Sequence, residues 1–194
     1  MKSAVIGLLV LLALTISCKR GGGADAAKRT GAEASRARLA DGWVEFSSAE
    51  GNFAANFPQS PSNKLLESEN GATTSAVTAN VNDAVSYEVL YATFAEQPVN
   101  PEDVTKAKEG FLRGLGKCSI EYDRPASLPL EDFLGRSYRA RCMTDDGTAL
   151  TTDFNVYIGR PHYFTSSVIW RTDDPEPHDG DKFLNSIRLL QRGK

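Results

Sequence analysis

The chain is poor in the residues that do chemistry. Its 194 residues include two histidines, three cysteines, two methionines and two tryptophans. Neither histidine stands in an HExxH pattern, so the zinc-hydrolase signature is missing. No GxSxG elbow marks a serine hydrolase. The run Gly21-Gly22-Gly23 neither follows a strand pattern nor opens a helix, which removes a phosphate loop. No long period recurs, which excludes a solenoid. No apolar run reaches the ~20 residues of a permanent membrane-spanning helix. These gaps lead to an expectation of no catalytic residue, no cofactor and no metal.

The N-terminus is more legible. Lys2 precedes an apolar stretch from Ala4 to Ser17, followed at once by Cys18, Lys19 and Arg20. A cation, a short apolar segment and a small residue before the break are the layout of an export signal. The segment Leu14-Thr15-Ile16-Ser17-Cys18 resembles the bacterial lipobox, with Thr15 where that family usually has Leu. The resemblance implies cleavage before Cys18 and acylation of its thiol and new amino group. Several acyl chains anchor stably where one alone is marginal. The alternative is an ordinary secretory signal with an incidental cysteine. Lys19, in place of the aspartate that favours inner-membrane retention in enteric bacteria, leans toward the outer membrane, facing the periplasm.

Charge is unevenly placed. Residues 19–41 hold Lys19, Arg20, Lys28, Arg29, Arg36 and Arg38 against Asp25, Glu33 and Asp41, while the whole chain carries a net charge of −3. An acidic body on a basic leash argues against nucleic acid as a partner. The leash is rich in Gly, Ala, Arg and Ser and has almost no large apolar side chain, so it cannot offset its ordering entropy. The expected organisation is a signal over 1–17, a lipidated Cys18 with a flexible basic tether over 18–41, and a single domain over 42–194. Two cysteines remain, Cys118 and Cys142. In an oxidising compartment they suggest a disulfide closing a loop of about 25 residues. Buried free thiols or a metal site are the other readings, the latter poorly supported without CxxC spacing.

Order is expected from Trp43. Val44 to Ser48 and Phe53 to Phe57 form a hairpin signature, with Gly51 supplying the turn and Phe53, Ala55 and Phe57 on one face. Thr73 to Val81 and Val85 to Phe94 form a second hairpin, with Val85, Tyr87, Val89 and Tyr91 on one face and Glu88, Leu90 and Ala92 on the other. The period then changes. Asn100, Pro101, Glu102 and Asp103 start a helix whose Val104, Ala107, Phe111 and Leu115 share a stripe, stopped at Gly116. Three strands follow, Phe133 to Met143, Leu150 to Ile158 and His162 to Arg171. A short helix near Asp179 or Asp181 carries Phe183, Leu184 and Ile187. The pattern predicts an α+β domain: an antiparallel sheet of about six to seven strands flanked by helices.

Phe46-Ser47-Ser48-Ala49-Glu50-Gly51-Asn52-Phe53, the later Phe57-Pro58-Gln59-Ser60-Pro61 and the ending Phe183-Leu184-Asn185-Ser186-Ile187-Arg188-Leu189 resemble secreted bacterial proteins of the PsbP/Mog1-like type. The resemblance spans roughly residues 43–190. It implies an α/β/α sandwich and a non-catalytic binding or assembly role; fold alone assigns no function.

Three constellations merit a reading. His178 sits among Asp173, Asp174, Glu176, Asp179 and Asp181, a setting for general-base chemistry or Ca²⁺, or simply a solvated acidic loop with one aspartate at a helix start. Arg136, Arg139 and Arg141 lie on one strand and suggest an anion site, or an exposed face paired with acids such as Asp153. Trp43 and Trp170 line a groove or pack at the rim. The functional expectation is a lipid-anchored, non-enzymatic envelope protein that binds or assembles an envelope protein partner. The alternatives are a carrier of a small apolar ligand and a hydrolase built on His178.

Overall fold

The computed structural model describes residues 34–67, 73–82, 84–93, 100–126, 133–159 and 162–190. Eleven strands and two helices occur among them. Strands β1 (Ala34–Arg38), β2 (Val44–Ser48), β3 (Phe53–Phe57) and β11 (Arg188–Leu189) form a four-stranded sheet in that order. Strands β4 (Ser62–Glu67), β5 (Thr73–Val81), β6 (Val85–Thr93), β7 (Lys117–Pro125), β8 (Leu134–Met143), β9 (Ala149–Gly159) and β10 (His162–Arg171) form a seven-stranded sheet, ordered β4-β5-β6-β10-β9-β8-β7. Every pairing is antiparallel. The coarse α+β expectation therefore holds, with sheet far outweighing helix.

Helix α1 (Pro101–Leu115) forms where the sequence places it. Pro101 fits the first turn, where its missing N–H costs nothing. Asp103 Oδ2 accepts the Asn100 backbone N–H at 3.0 Å, and Glu102 and Asp103 sit at the positive end of the helix dipole. Val104, Phe111 and Leu115 are buried. Gly116 ends the helix at φ 111°, and a Cβ there would lie 2.3 Å from the Met143 carbonyl oxygen. Only glycine meets both conditions. The helix packs on β7, β8 and β9.

The other face of the large sheet is covered differently. The expected sandwich has helices on both sides; here the second cover is mostly the small sheet. Phe46, Phe53, Ala55 and Phe57 of the β2–β3 hairpin join Tyr87, Val89, Tyr91, Phe164, Val168 and Trp170 in one buried cluster. The rings meet edge-on or tilted, Phe53 against Tyr91 at 5.0 Å and against Phe164 at 5.6 Å. A hairpin with such an aromatic face needs a broad apolar partner, and a sheet face supplies it. Helix α2 (Gly180–Leu184) is only five residues long. It adds Phe183 and Leu184, with Phe183 5.1 Å from Phe57 and 5.4 Å from Tyr87.

Other expectations are corrected. The large sheet has seven strands, within the six to seven expected of one sheet, but a second sheet, which was not expected, brings the number to eleven among the described residues. β1 lies inside the stretch read as tether, pairing with β2 and held by a Ser35–Ser47 hydroxyl contact of 2.7 Å. Order thus starts before Trp43, because backbone pairing needs no apolar side chains. β4 and β7 are additional strands, both at the edges of the large sheet. At the β2–β3 turn it is Asn52, at φ 55°, that takes the left-handed conformation. Gly51 serves another purpose: a Cβ there would lie 2.7 Å from the Tyr91 ring.

Candidate functional site

The alternation of β6 drives Tyr87, Val89 and Tyr91 into the aromatic cluster and turns Glu88, Leu90 and Ala92 to the α1 side. Glu88 is therefore enclosed, at 4% exposure. Its rung neighbours are Thr78 of β5 and Ser167 of β10. The Thr78 hydroxyl bonds to the carboxyl, but burial dominates and pushes its pKa up to about 7. The Glu88 Oε1 atom and the Ser167 hydroxyl have no hydrogen-bond partner, nor do the Thr74 and Thr152 hydroxyls on the same face. Buried oxygens without partners are uncommon enough to require a cause. One and two rungs further, Thr165 and Tyr163 bond to each other through their hydroxyls at 2.5 Å.

A second feature is a half-open cleft of about 350 Å³ beside the start of α1, lined by Pro101, Val104, Thr105, Asp123, Leu134, Gly135, Arg136 and Tyr138. An ion pair crosses its wall: Arg136 Nε donates to Asp123 Oδ1 at 2.7 Å. Burial raises the Tyr138 phenol, with the Asp123 charge adding to it. Leu134, 40% exposed, and Pro101, also exposed, give the cleft an apolar rim.

The three arginines do not converge on an anion site, since each has an acidic partner. Arg136 pairs with Asp123 and Arg141 with Glu121. Arg139 makes a two-pronged contact with Asp153, Nε to Oδ1 and Nη2 to Oδ2 both at 2.6 Å, and also reaches Glu176. Tyr122 donates to Asp153 Oδ1 at 3.3 Å. The Arg139 guanidinium stands 5.7 Å from the Trp170 ring and 6.0 Å from the Tyr122 ring. The alternation of β8 had placed Arg139 opposite Tyr138, and Asp153 is its cross-strand partner.

The acidic loop is also dispersed. Asp173 pairs with Arg171, which holds its carboxyl below the usual range, and Glu176 pairs with Arg139. Asp179 stands at the start of α2. His178 is exposed. No group of acidic, histidine or cysteine side chains suited to a metal ion occurs among the described residues. Trp43 and Trp170 are buried in the aromatic cluster.

Cys118 and Cys142 are cross-strand partners on β7 and β8, with their sulfurs at disulfide distance, 2.04 Å. Cys18, the predicted lipidation site, lies outside the described residues. No helix among the described residues is long and apolar enough to cross a membrane.

Glu88 is the residue that sequence reasoning did not single out. The signal was present: a carboxylate on the same strand face as Leu90 and Ala92. That face becomes a buried one only when β10 is seen to flank β6.

A scan against protein-family models finds no match, and a search of curated proteins finds none. Among solved structures, the chain is similar to a protein of unknown function, PA94 from Pseudomonas aeruginosa, at 11% identity and a TM-score of 0.37, covering 73% of this chain and 85% of that one. At that score the likeness carries no weight for fold or function.

Proposed function

We propose that the chain is a lipid-anchored envelope protein whose folded domain is a non-enzymatic binding or assembly module. The observation that carries the address is the apolar run from Ala4 to Ser17 ending in Cys18. Acylated Cys18 would hold the domain on a bilayer, with outer-membrane placement following from Lys19. The binding reading draws support from side-chain pairing: the arginines and loop acids that could have done chemistry neutralise one another. The resemblance of the first hairpin and the final helix to PsbP/Mog1-like domains points the same way. In an oxidising envelope the Cys118–Cys142 pair is a disulfide.

Mass spectrometry of the protein purified from its own host tests the anchor. The expected N-terminal peptide begins at a lipidated Cys18, and Cys18→Ser releases the protein from membranes. An intact leader or an unmodified thiol overturns the anchor. Mild crosslinking followed by mass spectrometry tests the module; recovery of monomer alone under all conditions counts against it. The carrier reading is favoured by one specific observation, the unpartnered polar row around Glu88 on an otherwise apolar face.

A further inference from the structure

Most arginines of the described strands hold an acid: Arg136, Arg139, Arg141, Arg171 and Arg188 all do. Arg124 of β7 lies over the Tyr122 ring instead, at 4.7 Å. Arg36 and Arg38 of β1 are exposed and have neither kind of partner among the described residues. The described acids nearest to them in sequence are engaged elsewhere, Asp41 with Lys182 at 3.0 Å and Glu45 with Arg188 at 2.6 Å. Glu45 also lies on the other face, because it stands opposite Ala37, whereas Arg36 stands opposite Phe46 and Arg38 opposite Val44. The two guanidiniums therefore leave the same side of the strand, two residues apart.

β1 is the free edge of the small sheet and pairs only with β2. Charge on an edge strand wards off a second strand, and acids would serve that purpose as well as bases. The positive sign is better explained by what precedes the strand. Residues 19–33 alone separate β1 from Cys18, and they add Lys19, Arg20, Lys28 and Arg29 against Asp25 and Glu33. The whole chain nonetheless carries a net charge of −3, so positive charge is gathered at one end and the remainder is acidic. A guanidinium offers a planar pair of N–H donors that suits the oxygens of a phosphodiester. An anionic bilayer attracts such an end and repels the rest, which sets orientation as well as distance.

We propose that β1 is a membrane-docking edge: Arg36 and Arg38 bind the anionic phospholipid headgroups of the bilayer that holds Cys18, and so turn the free edge of the small sheet toward it. The lipid supplies the encounter, since a tethered edge meets the surface at high effective concentration. The arginines supply the direction. The proposal rests on the anchor reading above and adds to it a fixed face.

The test is neutron reflectometry of the mature lipidated protein on supported bilayers, of phosphatidylcholine alone and of phosphatidylcholine mixed with phosphatidylglycerol. On the anionic bilayer the domain is expected to sit nearer the headgroups by at least about 10 Å, the range over which exposed charges act. High salt is expected to reopen the gap, a readout that needs no variant. Arg36→Glu with Arg38→Glu keeps a charged edge but reverses its sign, and is expected to lower the docked-to-free ratio at least about ten-fold. Arg113→Glu with Lys117→Glu changes net charge equally at exposed positions away from β1, and is expected to leave the gap closed. A gap indifferent to phosphatidylglycerol or to salt, a β1 variant that still docks, or a control variant that detaches equally each overturns the docking edge. A lipidated chain that behaves in any of these ways keeps its anchor; a chain without lipid on Cys18 removes both.

Discussion

On one face of the seven-stranded sheet, Tyr87, Val89, Tyr91, Phe164 and Val168 meet Phe46, Phe53 and Phe57 of the small sheet. The polar atoms admitted there are mostly partnered: the Ser48 hydroxyl donates to the Tyr91 hydroxyl at 3.1 Å and itself accepts the Gly51 N–H at 2.9 Å. On the opposite face, α1 brings Phe111 to 4.6 Å from Phe154, and Phe154 stacks on Tyr138 at 4.9 Å. Beside that apolar patch lie Thr74, Glu88, Thr152 and Ser167 with unpartnered oxygens. The same strands therefore bound a core packed mainly from aromatic rings, with the Ser166 hydroxyl unpartnered in it, and one that holds more unsatisfied polar groups. The difference is one of degree: the α1 side carries more buried polar groups whose desolvation is not offset by a hydrogen bond, which is a cost to stability.

The sharpest way to break the comparison is to truncate a ring on each side. Phe53 and Phe154 are both fully buried. Phe53→Ala is expected to cost about 3–5 kcal/mol, because its ring touches both sheets and neither can collapse into the space. Phe154→Ala is expected to fall at the low end of that range, since α1 can shift toward the vacancy. Urea unfolding monitored by circular dichroism decides it; equal losses would show the two faces to be equally rigid.

The disulfide tests the α1 side at its edge. Replacing both Cys118 and Cys142 by alanine is expected to cost about 3 kcal/mol from the unfolded chain's regained freedom, and reductant is expected to lower the Tm of the parent protein but not of the double variant. A parent Tm unmoved by reductant would show the pair to be free thiols.

Glu88 gives the comparison a pH axis. Its ordinary pKa of 4.5 is raised to about 7 in the fold, chiefly by burial. Below pH 4.5 folded and unfolded chains both hold the proton. Between 4.5 and 7 the unfolded chain has released it while the fold retains it, so stability falls as pH rises. Above 7 the loss is complete and constant, on the order of 3 kcal/mol. Glu88→Gln is expected to flatten this part of the stability-against-pH curve, measured by urea midpoints from pH 4 to 8. A parent curve already flat over that window, after allowance for the exposed carboxylates, would contradict the buried acid.

Much of this division was legible in the sequence. Asn100, Pro101 and Gly116 bracket α1 because caps act locally, and the alternation of β6 assigned its side chains to the correct faces. The alternative reading of the β8 arginines, a face paired with acids such as Asp153, matches the Arg139–Asp153 pair. What escaped were strands without an apolar face. β1 is Ala-Ser-Arg-Ala-Arg and β7 runs Lys117–Pro125 with mostly exposed side chains; both pair through backbone groups, which composition does not record. Sheet membership escaped for a related reason. Phe46, Phe53 and Phe57 announce a buried hairpin face, but the same pattern serves a hairpin inside the large sheet or a second sheet laid across it. Glu88 was hidden by that ambiguity, because its burial depends on a strand some 80 residues away.

The smallest expected effect concerns Gly51, in the β2–β3 turn against the Tyr91 ring of the large sheet. A Cβ at this position would stand 2.7 Å from the Tyr91 ring and 2.8 Å from the Phe53 ring. Both rings are buried and packed on each other at 5.0 Å, so neither swings away freely. Gly51→Ala is therefore expected to cost about 1–3 kcal/mol through overpacking, even though alanine stiffens the unfolded chain in the protein's favour. Gly147 offers the control. It turns at φ 85° with nothing within 4 Å of its would-be Cβ, so Gly147→Ala pays backbone strain alone. The decisive measurement is the pair with Tyr91→Phe, which removes the hydroxyl that anchors the ring to Ser48. If steric pressure on a pinned ring is the cause, the loss in Gly51→Ala shrinks in the Tyr91→Phe background while that of Gly147→Ala does not. Additive losses at both glycines would mean the turn, and not the contact between the sheets, requires Gly51.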